Sequence, residues 1–215
     1  MLAHTGPPLD LELRTALVEI VAREVKCPRV LKVLRQMPRH VFVPEHPIAQ
    51  AYADHPLPIG FGATISQPTV VGLMSEALEL RGTERILEVG TGSGYQAAVL
   101  GQLALHVDTI EVIPELATRA QHALEELRIT NVTVHVSDGY LGLPERAPFD
   151  RIVVTAAPEY LPQALVDQLA EGGLLVVPVG PQSRDQRLER HRKRDGRLVR
   201  EDLGAVRFVP MIHGD

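Results

Sequence analysis

Only one cysteine, Cys27, occurs among the 215 residues. An intramolecular disulfide is therefore impossible and a cysteine-built zinc cluster is not expected. Such usage fits a reducing, cytoplasmic setting. No apolar run approaches the ~20 residues that cross a bilayer, so no membrane partner is expected. The first residues carry no basic segment leading into an apolar one, so no secretory leader is expected either. Excess positive charge is also missing. Lys and Arg number 22 against 27 Asp and Glu, a net charge of −5 with pI ≈ 6.0. That balance argues against a general nucleic-acid binder. The nine histidines are scattered and form no convincing i, i+4 pair on a helix, so no metal is expected. Internal repeats and low-complexity tracts are absent.

What remains is an ordinary globular composition, 45% hydrophobic. A chain of this size buries about 70% of its unfolded surface without covalent staples. One α/β domain over residues 1–215 is expected. It divides into N-terminal helices and a loop (9–80), an α/β core (81–180), and a C-terminal hairpin with an edge strand (181–215).

The most informative stretch is 86–94, Ile-Leu-Glu-Val-Gly-Thr-Gly-Ser-Gly. A short apolar run ends in an acid, Glu88, and is followed by Gly90, Gly92 and Gly94. A helical pattern starts at Tyr95. Strand, glycine turn and helix open the ligand crevice of a doubly wound sheet. Dinucleotide sites space their glycines as G-x-G-x-x-G. Here the third glycine falls one position early, and a carboxylate at Glu88 would repel a pyrophosphate. It would suit a ligand bearing an ammonium group and no phosphate, which S-adenosylmethionine is. Glu111 ends the next strand, 21 residues after Gly90, where a ribose-binding acid is expected. Asp138, before Gly139, follows a third strand and is placed to meet an adenine edge. Tyr95 could stack near adenosine or pack in the core.

Periodicity predicts helices over 9–25, 30–37 and 68–80, with Pro28 and Pro68 at their first turns. Residues 1–8 read as a frayed end. Strands at 84–89, 106–112, 132–136, 151–155 and 174–179 alternate with helices at 95–104, 114–128 and 161–170. The last of these strands follows a Gly172-Gly173 turn. Such βα units imply a parallel sheet covered on both faces. Residues 188–194 and 197–199 flank Asp195-Gly196, a type I′ hairpin signal, and 205–209 reads as a final strand. The expected fold is therefore α/β, doubly wound and Rossmann-like, mostly parallel with antiparallel C-terminal edge strands.

Residues 38–68 hold six prolines and no long periodic pattern. A loop of that length in a compact domain is usually functional. Its end, 56–68, combines flexible glycines with Thr64, Ser66 and Gln67, neutral groups suited to an anionic acceptor. Ser66 also reads as a helix cap before Pro68. No G-x-S-x-G elbow surrounds it.

These features together resemble the protein-L-isoaspartate O-methyltransferases of bacterial type. The matching stretches are 39–44, 51–60, 64–68 (Thr-Ile-Ser-Gln-Pro), 86–96, 147–158, 172–180 and 206–211. They span roughly residues 10–211. The resemblance implies a class I methyltransferase that uses S-adenosylmethionine to methylate the free carboxylate of L-isoaspartyl and D-aspartyl residues. The product ester then closes to a succinimide, which partly reopens as aspartate. It implies Ser66 as the active-site serine. Glu88, Gly90, Thr91, Gly92, Gly94, Glu111, Asp138 and Gly139 match cofactor positions. Ile59, Gly60, Thr64, Ile65, Ser66, Val209 and Pro210 match peptide-binding surfaces. Damaged proteins and peptides are the implied partners, and a monomer is expected. The family's last strands are exchanged relative to other class I methyltransferases.

Two departures stand out. Ala63 occupies a position where bacterial relatives usually have glutamine, and Ser137 one where glycine is frequent. Three other readings remain open on sequence: a nucleic-acid methylase, a methyltransferase-like binding domain without turnover, and a small-molecule carboxyl methyltransferase. Against the first, 155–158 reads Thr-Ala-Ala-Pro and lacks the Asn/Asp-Pro-Pro-aromatic grip of base methylases. The basic tract 184–200 is interrupted by Asp185, Glu189 and Asp195.

Overall fold

The computed structural model describes residues 9–214. The frayed end expected at 1–8 lies outside them. Helices α1 (Leu9–Val21) and α2 (Pro28–Gln36) come first, then a 3-10 turn (Arg39–Phe42) and the short α3 (Ile48–Ala51). A hairpin of β1 (Leu57–Gly60) and β2 (Ala63–Ile65) leads into α4 (Pro68–Ala77). The alternating half comprises β3 (Arg85–Val89), α5 (Tyr95–Gly101), β4 (His106–Glu111), α6 (Pro114–Glu126), β5 (Val132–Val136) and β6 (Phe149–Val154). It ends with α7 (Gln163–Gln168), β7 (Leu169–Val179), β8 (Gln186–Arg194) and β9 (Arg197–Val206).

The large sheet has the order β5-β4-β3-β6-β7-β8-β9. Its first five members are parallel, and β8 and β9 run antiparallel. The fold class read from the sequence is the one observed. Parallel strands need apolar residues on both faces, and the core strands supply them. Leu87, Val89, Ile110, Ile152 and Val154 pack on one face. Ile86, Val107 and Val153 pack on the other, under Met74 of α4, Leu78 just after it and Leu100 of α5. Strand order reverses between β3 and its neighbours β4 and β6, which is where a doubly wound sheet opens a crevice.

Several boundaries move for local reasons. Helix α4 stops at Ala77 because Glu79 adopts φ 51, and α6 stops before Arg128 at φ 55. Strand β7 starts earlier than expected, at Leu169. The Gly172-Gly173 turn is absorbed as an irregularity where the register steps from Phe149↔Leu169 to Arg151↔Leu174. The Asp195-Gly196 turn has φ 50 and 70, as a type I′ hairpin requires. The separate final strand expected at 205–209 does not form. Strand β9 runs unbroken to Val206, and the Phe208 N–H is then diverted to the Gln186 side-chain oxygen (2.9 Å). Beyond it, Pro210 makes a single parallel bridge to Ala157. The supposed loop 38–68 contains the hairpin β1–β2, whose strands of four and three residues are too short for a periodic signal.

Among the described residues no helix is long and apolar enough to cross a membrane. Four of the eight Arg and Lys in the basic tract pair with acids. Arg187 pairs with Asp202, Arg190 with Glu79 and Glu201, Arg192 with Glu79, and Arg200 with Glu189.

Candidate active site

The glycine turn after β3 is stitched to β4: the Gly90 and Thr91 N–H groups both donate to the Ile110 carbonyl, at 2.8 and 3.0 Å. Gly90 stands at φ 99, and a Cβ there would sit 2.5 Å from the Thr155 hydroxyl. The turn is therefore open to glycine alone. It forms the floor of a chamber at the carboxyl ends of β3, β4 and β6. Gly90, Thr91, Gly92, Ser93, Tyr95, Gln96, Glu111, Gly139 and Thr155 line one side. The hairpin and its exit (61–66) and the C-terminal segment 209–212 close the other.

Three acids were expected at this rim, and the structure gives them three different situations. Glu111 lines the chamber. Its carboxylate is fixed by three backbone N–H donors, Gly92 (2.7 Å), Val112 (3.0 Å) and Ile113 (3.1 Å). Glu88 is fully buried behind the wall. Its Oε2 accepts the Thr109 hydroxyl at 2.6 Å, and the Thr109 hydroxyl is 2.7 Å from that of Thr91, a residue of the chamber wall. Its Oε1 has no partner. Burial pushes the Glu88 carboxyl up to about 8; the Thr109 hydrogen bond opposes this and the nearby Glu111 charge adds to it. Asp138 does not line the chamber. It accepts from the Tyr140 N–H (2.8 Å) and His213 Nδ1 (3.0 Å). Partial burial pushes its carboxyl up, yet hydrogen bonds from His213, Tyr140 and Gly214 together hold it below its ordinary range. Gly94 also lies off the chamber. It begins α5 at φ 87, with Ala120 of α6 packed 3.0 Å from where its Cβ would be.

A second chamber adjoins the first, lined by Pro56, Gln67, Asp185, Arg207 and Phe208 among others. The two share Thr64, Ser66, Thr155 and Val209. Ile65 and Pro210 line the first. Ile59 and Gly60 line neither: Ile59 is buried beneath the hairpin, and Gly60 is the last residue of β1, at φ 92.

The capping alternative for Ser66 does not hold. The residue before α4 is Gln67, and its side chain makes no cap. Asp54 performs that task from the preceding loop, accepting from the Thr69 N–H (2.9 Å), the Thr69 hydroxyl (2.8 Å) and Gln67 Nε2 (2.9 Å). The Ser66 hydroxyl is thereby left without a protein partner among the described residues, at the partition between the chambers.

Sequence reasoning missed two residues. Arg39 is wholly buried, and its guanidinium donates to the carbonyls of Ala51 (2.5 Å), His55 (3.1 Å) and Ser66 (3.2 Å). Burial lowers its proton affinity, with Tyr95, Asp54 and Tyr52 working the other way. One cation thus fixes the backbone at Ser66. Its only signal was membership of the 39–44 stretch. Thr155 donates to the Gly90 carbonyl (2.5 Å) and borders both chambers. Its position just past the end of β6 was the available clue.

The first chamber is lined by one acid and by no Lys, Arg or His. Phosphate-bearing ligands normally find N–H groups and cations, so this lining suits a cationic ligand with a sugar and an apolar ring. The unpartnered oxygen of Glu88, next to the hydroxyl chain leading to Thr91, fits an ammonium group.

A family model described as protein-L-isoaspartate(D-aspartate) O-methyltransferase matches residues 13–215. A protein-L-isoaspartate O-methyltransferase of Gloeobacter violaceus is 51% identical over 189 residues, 88% of this chain and 92% of the relative. One from Geobacter metallireducens is 52% identical over 195 residues, 90% of each. Among solved structures, one named protein-L-isoaspartate O-methyltransferase superposes with TM-score 0.84 at 31% identity. That match covers 92% of this chain, which spans 65% of the solved chain's length. A Plasmodium falciparum structure assigned to the same activity, in complex with S-adenosyl-L-homocysteine, gives TM-score 0.80 at 26% identity, covering 93% and 98% of the two chains.

Proposed function

The chain belongs to the protein-L-isoaspartate(D-aspartate) O-methyltransferase family, and from that premise we propose how its two chambers perform the reaction. The protein transfers a methyl group from S-adenosylmethionine to the free carboxylate of L-isoaspartyl residues in proteins and peptides, and S-adenosylhomocysteine is the product. The observation that carries the arrangement is the shared partition of Thr64, Ser66, Thr155 and Val209. It separates a cation-free chamber for the donor from one with a cation for the acceptor.

S-adenosylmethionine supplies a methyl carbon already activated by a sulfonium leaving group. The acceptor carboxylate is already ionised at pH 7, given an ordinary pKa near ~3.5. No general base is needed, and none is assigned. The protein's work is alignment, which can supply roughly 7–11 kcal/mol of barrier reduction, together with exclusion of water from the nucleophile. Glu111 holds the ribose, Glu88 sets the charge behind Thr91, and the backbone at Gly90 and Gly92 allows close approach. Ser66 orients the acceptor carboxylate by donating its hydroxyl. Of the residues lining the two chambers, Arg207 alone carries positive charge. It draws an anionic acceptor toward a protein of net charge −5. Both chambers form within one chain, which supports a monomer as the working unit. The lone half-buried thiol of Cys27 supports a cytoplasmic setting.

Incubation with methyl-labelled donor and an isoaspartyl peptide is expected to release labelled methanol, and the normal aspartyl isomer is expected to release almost none. Equal labelling of the two isomers would sink the assignment. The Ser66→Ala variant is expected to lose about tenfold or more in kcat while S-adenosylhomocysteine affinity changes less than about twofold. An unchanged methylation rate would remove Ser66 from the site. Reversal of charge in Arg207→Glu should raise the peptide KM about tenfold, and added salt should narrow the gap from wild type. A salt-independent KM equal to wild type would speak against steering by Arg207.

A further inference from the structure

We infer that Arg119, on the cofactor side of the molecule, is a positioning residue for the acceptor, because it pins the β1–β2 hairpin in place. The inference rests on the methyl-transfer reading above. The hairpin is a two-stranded sheet separate from the large one, and an isolated pair of strands is marginal in water. Its register pairs Leu57 with Ile65, Pro58 with Thr64 and Gly60 with Ala63. Ile59 is skipped, and a skipped residue leaves its backbone groups without ladder partners. The missing partner for the Ile59 carbonyl is Arg119 Nη1, which donates at 2.8 Å. Next to it, His46 Nε2 lies 2.8 Å from the Pro58 carbonyl. Arg119 is itself held by Glu45, whose Oε1 accepts from Nη2 at 2.6 Å.

Arg119 lies on α6, the helix that follows directly on Glu111, and Ala120 beside it packs against Gly94. Under the hairpin, the Ile59 side chain lies 3.6 Å from where a Cβ on Gly92 would stand. One guanidinium therefore fastens the strand pair that delivers Thr64 and Ser66 to α6, the helix packed against the glycine turn at Gly94. The Arg119 and Glu45 side chains are 40% and 57% exposed, and exposed pairs contribute little to global stability. Losing the contact should shift the hairpin without unfolding the protein.

In Arg119→Ala the peptide KM is expected to rise about tenfold, with kcat and S-adenosylhomocysteine affinity each within about threefold of wild type. The Tm should stay within about 2 °C, while amide hydrogen exchange at 60–66 accelerates. Arg119→Lys keeps one donor for the Ile59 carbonyl and should recover most of the lost KM. An unchanged KM with unchanged exchange at 60–66 would overturn the inference, as would a loss of S-adenosylhomocysteine binding equal to the loss of peptide binding. If wild type fails to methylate the peptide at all, the methyl-transfer reading falls. Exchange at 60–66 that is the same in Arg119→Ala and wild type would still overturn the pin on its own.

Discussion

Gly90→Ala is expected to lose donor binding and much of the fold's stability together. Two independent causes converge on this residue. Its φ of 99 is a conformation that L side chains rarely adopt, at a cost of about 1–3 kcal/mol. Its new Cβ would also lie 2.5 Å from the Thr155 hydroxyl. That hydroxyl cannot swing aside freely, since its one proton is shared between the carbonyls of Gly90 (2.5 Å) and Val89 (3.1 Å). Breaking such a part-buried hydrogen bond costs about 1 kcal/mol. A total near 3 kcal/mol corresponds to a Tm fall of roughly 6–12 °C for a chain of this length. Thermal unfolding should show that fall, and titration calorimetry with S-adenosylhomocysteine should show no heat. The double variant Gly90→Ala/Thr155→Ala removes the collision and keeps the backbone strain, so it should recover part of the Tm. A single variant as stable as wild type would refute the close approach of β6 to the turn.

The same residues explain what the sequence could disclose. The glycine turn was legible because its meaning is local: a buried strand, three glycines and a helix lie within residues 85–101. Glu111 was legible because the strand after the turn has a fixed length, so its end falls at a fixed offset. The alternation of strands and helices gave the sheet for the same reason. Asp138 was placed at the correct strand end, but its partners are set by Tyr140 and by His213, 75 residues away, and no spacing rule reports such a contact. The misreading of Ser66 as a cap has a similar origin. Spacing put a serine before Pro68, yet the cap comes from Asp54 across the loop. Arg39 was invisible as a positioning residue because a buried cation bound only to carbonyls leaves no periodic or paired-charge signature. The hairpin was missed because strands of four and three residues are too short to show a period.

Glu88 provides the largest pH effect. Its folded-state carboxyl titrates at about 8 against an ordinary 4.5, because the charged form is buried with one oxygen unpartnered. Between those values the folded protein keeps a proton that the unfolded chain has lost. By linkage the contribution is fully present below pH ~4.5, falls as pH rises, and is gone above pH ~8. The whole difference is on the order of 5 kcal/mol. Glu88→Gln cannot titrate, and its amide oxygen can still accept the Thr109 hydroxyl. Urea unfolding from pH 5 to 9 should therefore show the variant gaining on wild type with each pH unit up to ~8, then running parallel to it. The donor's ammonium group inverts this advantage, since a neighbouring cation favours the ionised carboxylate. Wild type should release up to about one proton on binding S-adenosylhomocysteine at pH 7, read from binding heats in buffers of different ionisation enthalpy. Glu88→Gln should release none and should bind about tenfold or more weakly. The cost of a buried acid in the empty protein would then be the source of its grip on a cation. Stability curves that run parallel at every pH, or equal proton release from both proteins, would separate Glu88 from the donor.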